Sequence, residues 1–395
     1  VLKLADAIIE IFSSKTRKLV FYQSYFPRAF LVKLYFCLWL IPRSEGRFDK
    51  IITYPNLIKR SAIDPIHSQE PVNKNRYDFE NFVKTNILLD IPVSYLEGHS
   101  TLLKMQSKLN DAENIFTANA HFGNELFKVW AAEQQCKGSN LIISSHGGSL
   151  YPLYSVFDHQ EKISDYRIVW GLQWMKKQIR MPANKLYAKI STYNSTGAIL
   201  IIDYDGQKYS YRCTSLPMGP LSLESYYLNK IFIQHLSEGV RRYIQVRTFA
   251  MGAWQKKMRY IDDFGPDIII QGSLTNTILN SRLIICTYPQ TTFSEAMYSG
   301  VPTMILYDEK LWEVQPIYIE LIKLLKDSGI MHTDGVLAAQ HVDSIAIDPM
   351  AWWNKPKTVL ARNKFSELCL TIEPNPLNLW AELFRAISEG GSNRR

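Results

Sequence analysis

Residues 281–306 read SRLIICTYPQTTFSEAMYSGVPTMIL, and this stretch decides the fold class. An apolar run rich in β-branched residues ends at Thr287, and Pro289 then forces a turn. The hydroxyl residues after the turn open a helix, and residues 300–303 lead the chain into the next apolar strand. This order of strand, loop, helix and strand predicts a parallel α/β sheet.

The loop and first turn of this helix are predicted to bind a phosphate. The free N–H groups of a first helical turn and the positive end of the helix dipole lie at the same place, so an anion is the natural ligand. Ordinary capping of the helix by Ser and Thr is the alternative. The residues predicted to hold the phosphate are Tyr288, Gln290, Thr291, Thr292 and Ser294.

The same alternation of apolar strands and amphipathic helices runs through most of the 395 residues, a length too great for one ordinary core. We predict two Rossmann-like α/β domains that face a cleft, at residues 1–190 and 191–348. Residues 349–388 contain aromatic helical stretches that are expected to pack back across both domains. Residues 389–395 are expected to be a linker or an expression tail.

Eight strands and an irregular connection follow from the apolar pattern. The connection is expected at residues 56–77, which contain two prolines and mixed charge. The predicted strands are 18–25, 114–120, 140–145, 166–170, 197–203, 243–248, 281–287 and 303–307.

The charge balance indicates an anionic partner. Lys and Arg number 45 against 37 Asp and Glu, a formal charge of +8. An anionic substrate or an anionic membrane surface would fit, with ordinary solvated surface as the alternative. Nucleic acid is not predicted, because the chain has no Lys/Arg block or nucleic-acid motif. The five scattered cysteines favour neither a disulfide framework nor a zinc site, which fits the cytoplasm.

The most apolar N-terminal run is residues 29–42, which is too short to span a bilayer. A buried helix is predicted there, and a helix that contacts a membrane surface is the alternative.

Polar residues follow several of the predicted strands. Asp203 and Asp205 follow the strand at 197–203, where a carboxylate can act as nucleophile or base at a sugar's anomeric carbon. A turn-forming Asp-Gly pair and a metal site are the alternatives, and we predict no metal and no cofactor.

Two further strand ends carry candidate proton-transfer groups. His146 precedes Gly147 and Gly148, where the backbone can approach a ligand closely, although a histidine that bonds its own turn is the alternative. Glu125 and His121 follow the strand at 114–120, and either could donate a proton to a leaving oxygen. Glu125 could instead serve only as a partner of the helix dipole.

Cations follow the strand at 243–248. Arg247 ends it and is predicted to bind a phosphate or a sugar carboxylate. Lys256, Lys257 and Arg259 could do the same, with exposed surface charge as the alternative.

Several segments in a shared order resemble a bacterial family of transferases encoded in O-antigen loci. The likeness spans residues 114–365, and within that family the chain is most similar to the retaining β-Kdo glycosyltransferase domains of the WbbB type. The segments are residues 146–148, 159–165, 170–171, 208–212, 245–247, 287–302, 327–330 and 352–353, with 361–362 and Phe365.

This resemblance implies a GT-B glycosyltransferase with an acceptor-side N-terminal domain and a donor-binding C-terminal domain. It implies CMP-β-Kdo as the donor, a lipid-linked glycan as the acceptor and work at the cytoplasmic surface of the inner membrane. Further glycosyltransferase domains in the same polypeptide would also be expected.

The resemblance also implies a double displacement in which an aspartate attacks the anomeric carbon. Asp203 matches the nucleophile best and Asp205 second, while Glu125 matches the acid/base. Arg247 would hold the Kdo carboxylate, and Glu295 occupies the position from which enzymes of this fold contact a ribose. A different nucleotide sugar, an epimerase or hydrolase, and a non-catalytic glycan-binding module are the alternatives.

Overall fold

The computed structural model describes much of the chain between residues 16 and 392. The expected irregular connection at 56–77 lies outside the described residues. The described residues are 16–40, 48–49, 79, 87, 90–148, 150, 159–186, 193–206, 208–209, 219–249, 252, 254–312 and 314–392.

The N-terminal domain contains five parallel strands in the order β1-β2-β3-β4-β5. Helices cover both faces of such a sheet, and the centres of its strands are accordingly buried apolar residues such as Ile115, Ile142 and Ile168. The strands are β1 (Thr16–Phe21), β2 (Asp111–Thr117), β3 (Asn140–Ser144), β4 (Tyr166–Val169) and β5 (Gln178–Arg180). The helices are α1 (Arg28–Cys37), α2 (His99–Gln106), α3 (Ala120–Gly123), α4 (Glu125–Cys136) and α5 (His159–Ile163), with a 3-10 turn at Val93–Tyr95.

The C-terminal domain contains a second sheet of five parallel strands, in the order β10-β9-β8-β6-β7. Its strands are β6 (Ala198–Asp203), β7 (Ile244–Thr248), β8 (Ser281–Cys286), β9 (Thr303–Leu306) and β10 (Met331–His332). Its helices are α6 (Glu224–His235), α7 (Glu238–Arg241), α8 (Lys256–Phe264), α9 (Leu274–Leu279), α10 (Thr291–Ser299), α11 (Ile319–Asp327) and α12 (Gly335–Ile345). Short 3-10 helices lie at Gly219–Leu223, Pro266–Ile268, Glu309–Leu311 and Pro316–Tyr318.

Three closing helices join the two domains: α13 (Pro349–Trp353), α14 (Pro356–Cys369) and α15 (Pro376–Ser392). Phe365 of α14 packs on Phe293 of the C-terminal domain, with ring centroids 5.2 Å apart. Phe384 of α15 packs on Phe21 of the N-terminal sheet, also at 5.2 Å. Helix α15 continues to Ser392, so residues 389–392 are helical where a linker or tail was expected.

The two parallel sheets with their helices confirm the predicted class of two Rossmann-like domains. All eight predicted strands are present. Strands β5 and β10 were not predicted, because with three and two residues they are too short to show a pattern in sequence.

Candidate functional site

The C-terminal sheet has a topological switch point between β6 and β8. The chain passes from β6 to its neighbour β7 on one side, then returns to place β8 on the other side of β6. Ligands of open parallel sheets bind in the crevice beyond the strand ends at such a point. The residues that line this crevice therefore follow Asp203 and Cys286.

The segment after β8 places the N-terminus of α10 in the crevice. Gln290 precedes the helix and gives it no side-chain cap, and its carbonyl accepts from the N–H groups of Phe293 and Ser294. The N–H groups of Thr291 and Thr292 lie at the free end of the helix. The Tyr288 hydroxyl and Thr292 Oγ1 lie 2.5 Å apart, which fixes the loop on the first turn. The Tyr288 ring stacks on Trp312, with centroids 6.0 Å apart. The loop is thus ordered at the helix N-terminus, and phosphate binding there stays a prediction.

The α10 N-terminus meets the Gly147–Gly148 loop of the other domain. The Gly148 N–H donates to Thr291 Oγ1 at 3.3 Å, and the Ser294 hydroxyl donates to the Gly148 carbonyl at 2.7 Å. A Cβ atom on Gly147 would lie 2.1 Å from Thr291 Oγ1, so a side chain there would force the loops apart. The Ser294 hydroxyl, predicted to hold a phosphate, instead links the domains.

Glu295, predicted to contact a ribose, forms an ion pair with Lys185. Its Oε1 lies 2.6 Å from the Lys185 Nζ, and the Glu295 side chain is 12% exposed. Lys185 follows the N-terminal sheet, so this pair also fastens α10 to the segment between the sheets. No pattern in the sequence around Lys185 predicts that it pairs with Glu295.

Asp203, the predicted nucleophile, lies inside a hydrogen-bond network. Its carboxylate accepts from Thr287 Oγ1 at 3.0 Å and from the Tyr260 hydroxyl at 2.9 Å. Lys256 Nζ lies 3.3 Å away, and both side chains of this ion pair are fully buried. With its lone pairs occupied and no exposed surface, Asp203 cannot approach an anomeric carbon in this arrangement. The geometry gives it a structural role and does not support the nucleophile prediction.

Lys256 is neither the exposed surface charge nor the ligand-binding cation that the sequence predicts. It is fully buried, and Nζ donates to the Tyr204 carbonyl and, at 2.5 Å, to Ser225 Oγ. Burial, followed by the negative charge of Asp203, raises the pKa of Tyr260 well above its usual value. A buried Lys–Asp pair needs such surrounding hydrogen bonds, because each charge has lost its hydration. The network holds the ends of β6 and β8 together with α6 and α8.

Asp205 lies beyond β6 and is 5% exposed. Its carboxylate accepts from the backbone N–H groups of Trp254 at 3.2 Å and Lys256 at 3.4 Å, where α8 begins. Burial raises the pKa of Asp205, while these hydrogen bonds act in the opposite direction. These two N–H groups orient the Asp205 carboxylate at the start of α8.

Arg247 is the penultimate residue of β7, in register with Ile202 of β6, and its side chain is partly exposed. Within the described ranges no carboxylate forms an ion pair with it. The role of Arg247 as a ligand for an anion therefore stays a prediction. Lys257 is exposed, as expected of surface charge, whereas the Arg259 Nε donates to the Trp254 carbonyl.

Two histidines lie at the carboxyl edge of the N-terminal sheet. The His146 ring centroid is 5.4 Å from that of Phe122, and the loop that begins after His146 meets α10. His121 is 3% exposed, and neither of its ring nitrogens has a hydrogen-bond partner among the described residues. Burial, together with nearby cations including His146 and Arg167, lowers the pKa of His121 to about 3. His121 is therefore a neutral imidazole at physiological pH.

Glu125, the predicted acid/base, lies in the first turn of α4 and pairs with Lys128. The Nζ–Oε1 distance is 2.7 Å, and the two side chains are 27% and 23% exposed for Lys128 and Glu125. Lys128 also reaches the Tyr95 hydroxyl at 3.3 Å. These contacts match the alternative reading, in which Glu125 serves as a partner of the helix N-terminus.

The described residues contain neither a cluster of metal ligands nor a helix that could span a membrane. Among the side chains that the structure describes, no three His, Cys, Asp or Glu residues cluster as a metal site would require. None of the helices in the described ranges combines the length and the apolar character needed to cross a membrane.

Comparison with known proteins gives a family match over nearly the whole chain. The model of a family described as LIC12162 family transferase matches residues 2–384, including the first hundred residues that the motifs did not reach. No curated protein sequence matches.

Solved structures with a similar fold share little sequence with this chain. MurG of Acinetobacter baumannii is 12% identical with a TM-score of 0.39, covering 73% of this chain and 77% of MurG. Staphylococcus aureus MnaA, solved with UDP, is 10% identical with a TM-score of 0.42, covering 92% and 93%. The lipopolysaccharide glycosyltransferase WaaG is 10% identical with a TM-score of 0.41, covering 93% and 99%.

Proposed function

The chain belongs to the LIC12162 family of transferases, and we propose that it is a retaining GT-B glycosyltransferase that moves Kdo from CMP-β-Kdo to a lipid-linked glycan. One observation carries the proposal: the uncapped N-terminus of α10 lies at the switch point and faces the Gly147–Gly148 loop across the cleft. A nucleotide phosphate at that helix terminus would be held from both domains.

The donor's chemistry fits the groups around this point. Kdo carries a carboxylate, and Arg247 is a cation at the crevice without a carboxylate partner in the described part of the chain. CMP departs as a phosphate monoester, a leaving group that helix N–H groups can stabilise without a metal ion. The resemblance to β-Kdo transferase domains is what selects CMP-β-Kdo among nucleotide sugars.

Retention of configuration would take two displacements. In the first, a carboxylate oxygen bonds to the anomeric carbon while the bond to the CMP phosphate breaks. Asp205 is the carboxylate that we propose, because it lies beyond the strand and its partners are backbone N–H groups, whereas Asp203 neutralises a buried lysine. In the second, the acceptor hydroxyl displaces the carboxylate, and His146 takes its proton.

Intact-protein mass spectrometry after incubation with CMP-Kdo tests this proposal. We expect a covalent gain of one sugar in the wild-type protein, no gain in Asp205→Asn, and release of the sugar when an acceptor is added. Adduct formation that persists in Asp205→Asn would overturn the assignment of the nucleophile. Donor consumption without any adduct or acceptor product would indicate the hydrolase or epimerase alternative and overturn the transferase proposal.

A further inference from the structure

Helix α1 is apolar on two opposite faces. Its inner face carries Phe30 and Leu34, which are 1% and 0% exposed and pack in the core beneath α15. Its outer face carries Val32, Phe36 and, just beyond the helix end, Trp39, which are 43%, 66% and 93% exposed. Val32 and Phe36 are four residues apart and so lie on one side of the helix, and Trp39 follows directly after the C-cap residue Leu38. We call Val32, Phe36 and Trp39 the outer face.

Trp39 is held in an unfavourable backbone conformation. Its φ angle is 56°, in the left-handed region that a large side chain seldom occupies. Two hydrogen bonds that end the helix compensate for this conformation: the Trp39 N–H donates to the Phe36 carbonyl at 3.1 Å, and the Leu40 N–H donates to the Tyr35 carbonyl at 2.9 Å. The left-handed turn leaves the Trp39 side chain almost wholly in solvent.

The sequence around α1 is cationic. Between Glu10 and Glu45 the sequence has no acidic residue but has Lys15, Arg17, Lys18, Arg28, Lys33 and Arg43. Arg28 and Lys33 lie on α1 itself, and both are exposed. An apolar stripe with a tryptophan and adjacent cations matches the chemistry of a bilayer interface with anionic lipids.

We propose that the outer face docks the protein on an anionic lipid bilayer. A second copy of the chain fits less well, because two aromatic side chains and a valine offer less than the roughly 800 Å² that a stable interface buries on each partner. The proposal deepens the proposed function and rests on it for its purpose, namely access to a lipid-linked acceptor.

The position of α1 suits that purpose. The helix follows the carboxyl end of β1, and the Tyr25 ring in the connecting loop lies 6.4 Å from that of His146. A helix of ten residues is about 15 Å long. The helix therefore begins beside the cleft and runs back from it, so a bilayer against Phe36 and Trp39 would lie on the N-terminal domain roughly 15 Å from the cleft.

Vesicle flotation tests the proposal independently of catalysis. The probe is vesicles of phosphatidylglycerol and phosphatidylcholine in equal parts, and the test variant is Phe36→Gln with Trp39→Asn. Glutamine is compatible with a helix and asparagine tolerates a left-handed φ, so the fold should be kept. We expect the variant to bind at least about tenfold more weakly, since binding scales with buried apolar area.

The matched control is Ile347→Asn with Leu360→Gln, two residues of the C-terminal half that are 98% and 57% exposed. The control should bind like the wild type, and CMP affinity should be unchanged in both variants.

Equal vesicle binding by all three proteins would overturn the proposal, as would equal wild-type binding to pure phosphatidylcholine. Dimerisation of the wild type that the test variant abolishes, without vesicle binding, would identify the face as a contact between copies. Failure of sugar transfer would leave the vesicle result standing.

Discussion

The ends of β6 and β8 lie side by side at the switch point. Both carry residues that the sequence predicts to bind a ligand or to take part in the reaction. At the end of β8 the helix N-terminus is uncapped and faces the opposite domain. At the end of β6 the Asp203 carboxylate is saturated by hydrogen bonds and paired with a buried lysine. Both ends carry polar residues, but Asp203 at the β6 end is paired with a buried lysine and stabilises the fold, whereas phosphate binding at the β8 end is the role that we propose.

The largest expected effect lies at the β6 end. Asp203→Asn would leave the Lys256 charge buried without its counter-charge, which costs roughly 3–5 kcal/mol of unfolding free energy. Urea denaturation followed by circular dichroism measures this loss. Lys256→Met in the same chain should recover part of it, because the two substitutions act on one ion pair. An Asp203→Asn protein with wild-type stability and no sugar transfer would restore Asp203 as the nucleophile.

The comparison extends to the N-terminal sheet, where His121 should make stability depend on pH. Its folded pKa of about 3 lies below the usual 6.5, so the unfolded chain binds a proton first as the pH falls. Stability present above pH 6.5 is therefore lost on acidification, by about 2 kcal/mol at pH 5.

Urea titrations of the wild type and His121→Gln at pH 7 and pH 5 would measure this term. His341, whose pKa burial lowers to about 4, titrates in both proteins and cancels in the comparison. The same pH dependence in both proteins would show that His121 is charged or solvated in the folded state.

Gly147→Ala tests the close approach of the domains at the β8 end. The added Cβ would lie 2.1 Å from Thr291 Oγ1, and overpacking of this kind costs roughly 1–3 kcal/mol. We expect a larger radius of gyration by small-angle X-ray scattering. Thr291→Ala in the same chain removes the contacted oxygen and should restore the wild-type value. An unchanged radius in Gly147→Ala would mean that the loops do not meet in solution.

Lys185→Gln should have the smallest effect. The Lys185 side chain is 44% exposed, and ion pairs of that kind contribute about 1 kcal/mol or less. We expect CMP affinity measured by calorimetry to change less than about fivefold. A larger loss would mean that the Lys185–Glu295 pair itself binds the nucleotide.

The sequence predicted most of the fold, because buried parallel strands are long apolar runs that can be recognised one at a time. The strand at 197–203 and the helix after Pro289 are examples, and both are present. Partners distant in sequence could not be predicted. The pairing of Lys256 with Asp203, 53 residues apart, depends on how α8 packs against β6, and no local pattern encodes it.

The candidate site was predicted in part for the same reason. A helix N-terminus after a strand is a local feature, so the phosphate loop was recognisable from residues 281–306 alone. Whether Ser294 or Asp203 remains available to a ligand depends on the opposite domain or on buried neighbours. Sequence patterns indicate where polar groups lie, and only packing decides whether they are already occupied.

Hydrogen exchange resolved by residue, with and without CMP, tests the central claim most directly. We predict slower exchange at the amides of Thr291 and Thr292, because a phosphate would accept from the helix N-terminus, and at Gly148, whose N–H already donates to Thr291 Oγ1 and would be held more firmly. Exchange at Ile202 and Asp203 should not change. Protection confined to the end of β6, or no protection at the start of α10 with either CMP or UDP, would contradict the account.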